Sequence, residues 1–148
     1  MKLSEMQDLW REDCIVDELA LDDESLKLPN LHSKYLSLWN EECLNLNRWK
    51  RDLYSMHKLK WEYYSGKMSQ ENLSQLNWEV FSLRILKSDV NIYIDSDLEI
   101  QDIQSKIDYT KQKISFLDSI IKGINTRGFL IKNAIEFMKF QSGSWRMM

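Results

Sequence analysis

Proline and glycine are both scarce in this chain, with 1 Pro and 4 Gly in 148 residues. A turn-rich all-β fold needs many more of each, so long uninterrupted helices are the expectation. Cysteine is nearly as rare. Cys14 and Cys43 lie far apart, match no metal-ligand spacing, and read as free, buried thiols of a reducing compartment. No run approaches the roughly 18–20 apolar residues of a membrane span. Glu5, Asp8, Glu12 and Asp13 interrupt the N-terminus where the apolar stretch of a signal peptide belongs. A cytoplasmic location without a membrane partner is the consequence.

Signatures of catalysis are missing as well. The chain has no Walker loop, no G-x-G-x-x-G, no H-E-x-x-H and no C-x-x-C, and His32 and His57 are too far apart on one helix to share a ligand. No catalytic residue, cofactor or metal is assigned, and the chain reads as a protein other than an enzyme.

What remains is an ordinary soluble balance of 43% hydrophobic and 29% charged residues. That balance supports one compact domain, or a small domain with a long appended element. Ser4 with Gln7 has the form of a capping box, and Met6, Leu9, Trp10 and Cys14 recur at helical spacing. A short helix over 4–16 is predicted, followed by an acidic linker through Asp22, Asp23 and Glu24. Pro29 suits the first turn of a second helix. From there Leu31, Tyr35, Leu38, Cys43, Leu46, Trp49, Leu53, Met56, Leu59 and Tyr63 form one apolar stripe, and Gly66 stands where a C-terminal cap belongs. That helix spans about 35 residues, or roughly 50 Å.

Phe81, Leu83 and Ile85, then Val90, Ile92 and Ile94, alternate with polar residues around Lys87-Ser88-Asp89, which predicts a small β-hairpin over 80–95. Ser96 with Glu99 forms a further capping box, opening a helix of about 45 residues. Its seam runs Ile100, Ile103, Ile107, Thr110, Ile114, Leu117, Ile121, Ile124, Gly128, Ile131, Ile135, Met138, with only Thr110 and Gly128 breaking the apolar rule. Isoleucine at both seam positions favours coiled-coil assemblies above the dimer. The fold class is therefore mainly α: two long helices, a short N-terminal helix and the hairpin, assembling into a ring-like homo-oligomer of more than two subunits. Residues 1–95 form the binding region and 96–148 the oligomerisation helix, with Ile107, Ile114, Leu117, Ile121, Ile124, Ile131, Ile135 and Met138 at the contact. The competing arrangement is an antiparallel hairpin in which the first long helix covers this face within one chain.

Net charge is −3, but the charge is unevenly distributed. Residues 1–30 carry nine acidic and three basic side chains. Between Arg48 and Lys67 stand Arg48, Lys50, Arg51, Lys58, Lys60 and Lys67 against Asp52 and Glu62, a local excess of +4. Over a Debye length of about 8 Å a polyanion feels the near patch rather than the distant acidic arm. Aromatics interleave with these cations, the pattern by which single-stranded nucleic acid is held through phosphates and stacked bases. Arg48, Lys50, Arg51, Lys58, Lys60, Trp61, Tyr64 and Lys67 are the candidate DNA-binding residues, with Trp61 and Tyr64 as the stacking pair. In the alternative, Trp49, Tyr54 and Tyr63 are core aromatics and the lysines merely solvate a helix. The chain would then be a coiled-coil scaffold with protein partners only.

Lys58 to Gly66, reading K-L-K-W-E-Y-Y-S-G, resembles the L-K-x-R-L-D-Y-Y-S-G signature of the UvsY recombination mediators of T-even-like phages. Thr126 to Lys132, reading T-R-G-F-L-I-K, is similar to that family's S-R-G-F-A-I-K. The resemblance implies a ring-shaped homo-oligomer held by C-terminal helices, working in the host-cell cytoplasm. It implies binding of single-stranded DNA, displacement of a single-strand-binding protein, and loading of a RecA-like recombinase. The basic residues of the family's first motif map onto Lys58 and Lys60. Lys60 stands in place of Arg, losing bidentate phosphate geometry but keeping charge. Trp61 replaces an aliphatic residue, and Leu130 replaces Ala. The acidic N-terminal arm departs from the family pattern, and contact with a basic protein partner or competition with DNA is the role inferred for it.

Overall fold

The structure, a computed structural model, describes residues 1–143. The elements are α1 (Leu3–Asp13), α2 (Leu21–Leu26), α3 (Leu28–Tyr64), α4 (Gln70–Leu76), a 3-10 turn (Lys87–Asp89), α5 (Val90–Asp95) and α6 (Leu98–Ser142). Among the described residues there is no strand. The two long helices have the expected lengths, 37 and 45 residues. Their ends differ in detail from the expected boundaries.

At α1 the Glu5 carboxylate accepts from the Lys2 backbone N–H at 2.8 Å, so the helix begins ahead of the expected Ser4 box and stops at Asp13. The acidic linker contains α2. Gly66 ends α3 as expected. At φ +73° it lets its own N–H reach the Tyr63 carbonyl (3.2 Å) while Lys67 N–H reaches Glu62 (2.9 Å), closing a Schellman motif. The start of α6 is capped by Asp97 rather than by Ser96 and Glu99. Its Oδ1 accepts from the N–H groups of Glu99 (2.9 Å) and Ile100 (3.3 Å).

The predicted hairpin is absent, because the alternation of Val90, Ile92 and Ile94 is outweighed by an i, i+4 pairing. Val90 and Ile94 are buried on one face of α5, and Ile92 is left 64% exposed. An isolated hairpin would be marginal in water, whereas one helical turn delivers both side chains to a core that already holds Ile100.

The chain forms two compact units, 1–43 with 112–148, and 44–111. The division expected at 95/96 falls inside the second unit, where Asp97 joins α5 to α6. In the first unit Met6, Tyr35, Leu117, Ile120 and Ile124 make the core, with Leu9, Trp10, Leu31, Leu38 and Trp39 packed against it. Leu28 beside Gly128 and Glu42 paired with Lys113 show α3 and α6 running antiparallel here. Tyr35 stacks edge-on against Trp10 at 5.4 Å and donates to Asp13 Oδ2 at 2.7 Å, a carboxylate that also receives Lys34 at 2.6 Å. Burial works against ionisation of Asp13, but those two hydrogen bonds hold its carboxyl below the usual range. Burial, then the Asp13 bond, pushes the Tyr35 phenol up. Arg127 closes this corner, donating to the Asp13 carbonyl at 2.9 Å with its guanidinium 5.3 Å from the Trp10 ring.

In the second unit Val90, Ile94 and Ile100 form the core with Leu53, Met56, Tyr64 and Ile85. The long seam of α6 is thus covered largely within one chain. Ile107, Thr110, Leu117, Ile124 and Ile131 are buried, Ile114, Ile121 and Ile135 half-buried, and Met138 is exposed. Thr110 sits in the seam at little cost, because its hydroxyl donates to the Lys106 carbonyl at 2.8 Å.

Leu117→Ala should cost about 3 kcal/mol of unfolding free energy in a urea titration, since its side chain is 0% exposed. Leu26→Ala, at a side chain 77% exposed, should change the same titration by less than about 0.5 kcal/mol.

Candidate nucleic-acid interface

Residues three and four apart on a helix share a face, and this periodicity sorts the basic–aromatic stretch of α3 into two sides. Lys50, Tyr54, His57, Lys58 and Trp61 fall on one stripe, and all five are exposed. Arg48 and Arg51 are exposed beside it. Trp61 is 40% exposed with the Lys67 ammonium 4.7 Å from its ring. That ammonium is placed by the turn at Gly66, where positive φ reverses the chain. Tyr54 is the most exposed aromatic of the stripe, at 78%.

The opposite side of the same stretch is committed to the fold. Lys60 is only 5% exposed. Its ammonium lies 3.0 Å from Asp97 Oδ2, 3.3 Å from Glu99 Oε1 and 3.9 Å from the centre of the Trp78 ring. Tyr64 donates to Asp97 Oδ2 at 2.6 Å and packs against Tyr63, Phe81 and Tyr93. Burial opposes ionisation of Asp97, but the bonds from Tyr64 and Lys60 outweigh it and hold its carboxyl below the usual range. The Tyr64 phenol is pushed up, by burial first and by Asp97 second. Two expected DNA contacts, Lys60 and Tyr64, are therefore engaged inside the chain.

The remaining expected contacts divide as follows. Arg48, Lys50, Arg51, Lys58, Trp61 and Lys67 stand at the surface. Trp49 is half-buried, and two cations approach its ring, Arg48 at 5.1 Å and Lys106 at 4.8 Å. Tyr54 is not among the candidates drawn from the sequence, where only the alternative reading places it, in the core, and Lys106 and Lys111 of α6 are not singled out there as companions to the α3 patch. Tyr54 was legible in principle, since it lies four residues from Lys50 and seven from Trp61. The α6 lysines were not, because only the fold brings them to α3.

Cys14 is exposed rather than buried, and Cys43 is half-buried with its thiol pushed up by burial and by Glu42. Among the described residues no three His, Cys, Asp or Glu side chains gather as metal ligands would.

The two sides predict different phenotypes. Lys60→Met strands the buried Asp97 carboxylate and should lower unfolding free energy by about 3 kcal/mol, with the salt slope of DNA binding unchanged. Lys58→Ala should leave unfolding alone and reduce that slope by about 0.7, the value for one phosphate on a single strand. Asp97 also makes the fold acid-sensitive. A carboxyl depressed in the folded state contributes its full stabilisation above about pH 5, and loses it as pH falls through the ordinary carboxylate value to the depressed one. Urea midpoints measured from pH 6 down to pH 3 should fall for the unaltered protein and fall less for Asp97→Asn.

The chain is similar to known proteins along nearly all of its length. Residues 9–144 match the family described as "Recombination, repair and ssDNA binding protein UvsY". The recombination protein uvsY of Enterobacteria phage T4 is 24% identical over 146 residues, covering 97% of this chain and 99% of that protein. In crystal lattice type II the Bacteriophage T4 recombination mediator protein UvsY superposes with a TM-score of 0.84 at 22% identity, covering 96% of this chain and 98% of that one. Lattice type IV gives 0.84 at 21% identity over 95% and 99%. With the match running over residues 9–144, through both long helices, the chain belongs to the UvsY family of recombination, repair and single-stranded-DNA-binding proteins.

Proposed function

We propose that this protein binds single-stranded DNA as a homo-oligomer, helps displace a single-strand-binding protein, and promotes loading of a RecA-like recombinase in phage homologous recombination. Its family is one of DNA-binding recombination proteins, and it is not an enzyme. The observation that carries the reading is the exposed α3 stripe. Lys50, Lys58 and Trp61, flanked by Arg48, Arg51 and Lys67, offer cations for phosphates and an aromatic face for bases on one surface. Lys60 and Tyr64 leave the proposed contact set and serve to aim it. Phosphate contact and stacking read little base identity, so the proposed binding is sequence-tolerant.

Oligomerisation is supported by a second apolar face on α6. Phe129, Leu130 and Phe137 fall on one side of the helix, between 59% and 71% exposed, and are turned away from the face that buries Leu117, Ile124 and Ile131. An apolar face of this size asks for a partner. Of the residues assigned to the subunit contact from sequence, Ile114, Ile121, Ile135 and Met138 retain exposed surface for it, whereas Ile107, Leu117, Ile124 and Ile131 already fill their own core. Repeating a modest patch around an assembly raises the effective concentration of sites on one flexible strand, which turns weak binding into tight binding. No helix among the described residues is long and apolar enough to cross a membrane.

The test is anisotropy of a fluorescent single-stranded oligonucleotide across a salt series, with the protein's mass measured alongside. Tight binding that weakens steeply with salt, by a species of more than two subunits, is expected. An oligomer that ignores DNA at low salt would overturn the reading in favour of a protein-only scaffold. Phe129→Ser with Phe137→Ser should yield smaller species whose DNA affinity falls at least tenfold, because avidity is lost.

A further inference from the structure

Within the second unit α3 and α6 part to leave a cleft of about 380 Å³. Its floor is apolar, formed by Leu53 and the buried Ile107. Its walls are not. Lys50 and His57 come from α3, Gln104 and Lys111 from α6, and Tyr54 stands at the rim with 78% of its surface exposed. Gln104 is held in place through its amide nitrogen, which donates to Asp108 Oδ1 at 3.0 Å. No carboxylate lines the cleft.

We infer that this cleft is a nucleotide subsite of the DNA-binding surface, taking one base of a single strand against Tyr54 while Lys50 and Lys111 hold the flanking phosphates. The inference rests on the single-stranded-DNA reading proposed above and adds a place to it. Each part of the cleft matches one part of a nucleotide. A planar, largely apolar ring suits the Leu53–Ile107 floor, and the Tyr54 ring supplies a stacking face at its edge. Polar base edges meet the imidazole of His57 and the carboxamide of Gln104, both of which donate and accept. Lysines arriving from two different helices place positive charge at the mouth, where the backbone of a strand runs.

The cleft is also continuous with the stripe. Tyr54 and Trp61 are seven residues apart on one face of α3, about 10 Å along its axis. A strand with one base in the cleft therefore runs past Lys58 toward Trp61 and Lys67. This favours a polynucleotide over a free mononucleotide, and a single strand over a duplex, because a paired base is not available to enter. A sequence-tolerant binder is served by such a site, since every base has a face to stack.

The experiment uses the full-length protein and a thymidine oligonucleotide carrying 5-iodouracil for photochemical crosslinking, with the attachment site read by mass spectrometry. Tyr54 is the expected site. In parallel, Tyr54→Leu should lose about tenfold in affinity at unchanged salt slope. Tyr54→Phe should retain affinity, and Lys111→Ala should lower the slope by roughly 0.7, the value for one phosphate on a single strand. An oligonucleotide with consecutive abasic sites should bind Tyr54→Leu and the unaltered protein equally. Circular dichroism melts should be unmoved for all three variants, whose altered side chains are exposed. Unaltered protein that binds the strand while Tyr54→Leu binds equally well, with crosslinks confined to other residues, overturns the cleft and leaves the single-strand reading standing. Unaltered protein that does not bind at any salt overturns both.

Discussion

Asp97 receives two backbone N–H groups at the start of α6, the Tyr64 hydroxyl and the Lys60 ammonium, and it is 9% exposed while doing so. A buried carboxylate is costly unless it is both paired and hydrogen-bonded, and here both conditions are met by groups from a different helix. The rotation of α3 about its own axis follows from this. With Lys60 drawn inward to Asp97, the turn that carries it presents Lys58 and Trp61 outward, and Gly66 then brings Lys67 back over the Trp61 ring. A change at Asp97 therefore reaches the proposed DNA face without touching it. Buried ion pairs are poor sources of net stability, yet strong determinants of which arrangement is adopted when an apolar surface alone would allow several. The second unit is an instance, since the apolar alternatives of α5 are resolved by where Asp97 must sit.

The other unit uses the same device. Lys113 is paired with Glu42 at 2.9 Å, and Arg127 reaches the carbonyl of Asp13. Each of these cations enters the formal charge of the chain, and each is engaged within the fold. A formal charge of −3 is thus a poor guide to what DNA would meet. Neutralised pairs such as Lys60 with Asp97 drop out of the sum, and what matters is the surplus left at the surface of α3 and of the adjoining part of α6.

Much of the fold could be read in advance because helix length depends on what is missing. With one proline, placed at the start of α3, and a glycine at its end, little else in the pattern of residues 28–64 was open. The hairpin went astray because alternation over five residues, Val90 to Ile94, satisfies the strand period and the i, i+4 period at the two outer positions alike, and only the burial of Ile92 would tell them apart. The seam of α6 was legible as apolar, but a heptad does not say whether its partner is another subunit or the chain's own preceding helix. Antiparallel pairing within one chain supplies the same knobs to the same holes. The clue that was available is Ile120, apolar beside the seam, which widens the face beyond what a narrow coiled-coil contact needs.

Lysine rather than arginine at position 60 follows from the same geometry. A guanidinium is a planar fork suited to two-pronged contact with phosphate, whereas an ammonium is a compact point charge with three donors. The pocket around Lys60 offers two carboxylates at 3.0 and 3.3 Å and an indole face at 3.9 Å, partners arranged around a point rather than along an edge. Cation–π attraction to Trp78 is strengthened by desolvation, to roughly 2 kcal/mol in buried settings, and it fills the side of the ammonium that the carboxylates do not reach. The basic position that the resemblance assigned to DNA is here surrounded by the chain's own anions. In the proposed reading, phosphate contact falls to the cations that Lys60 turns outward, and Trp61, aromatic and 40% exposed, offers a stacking face beside them.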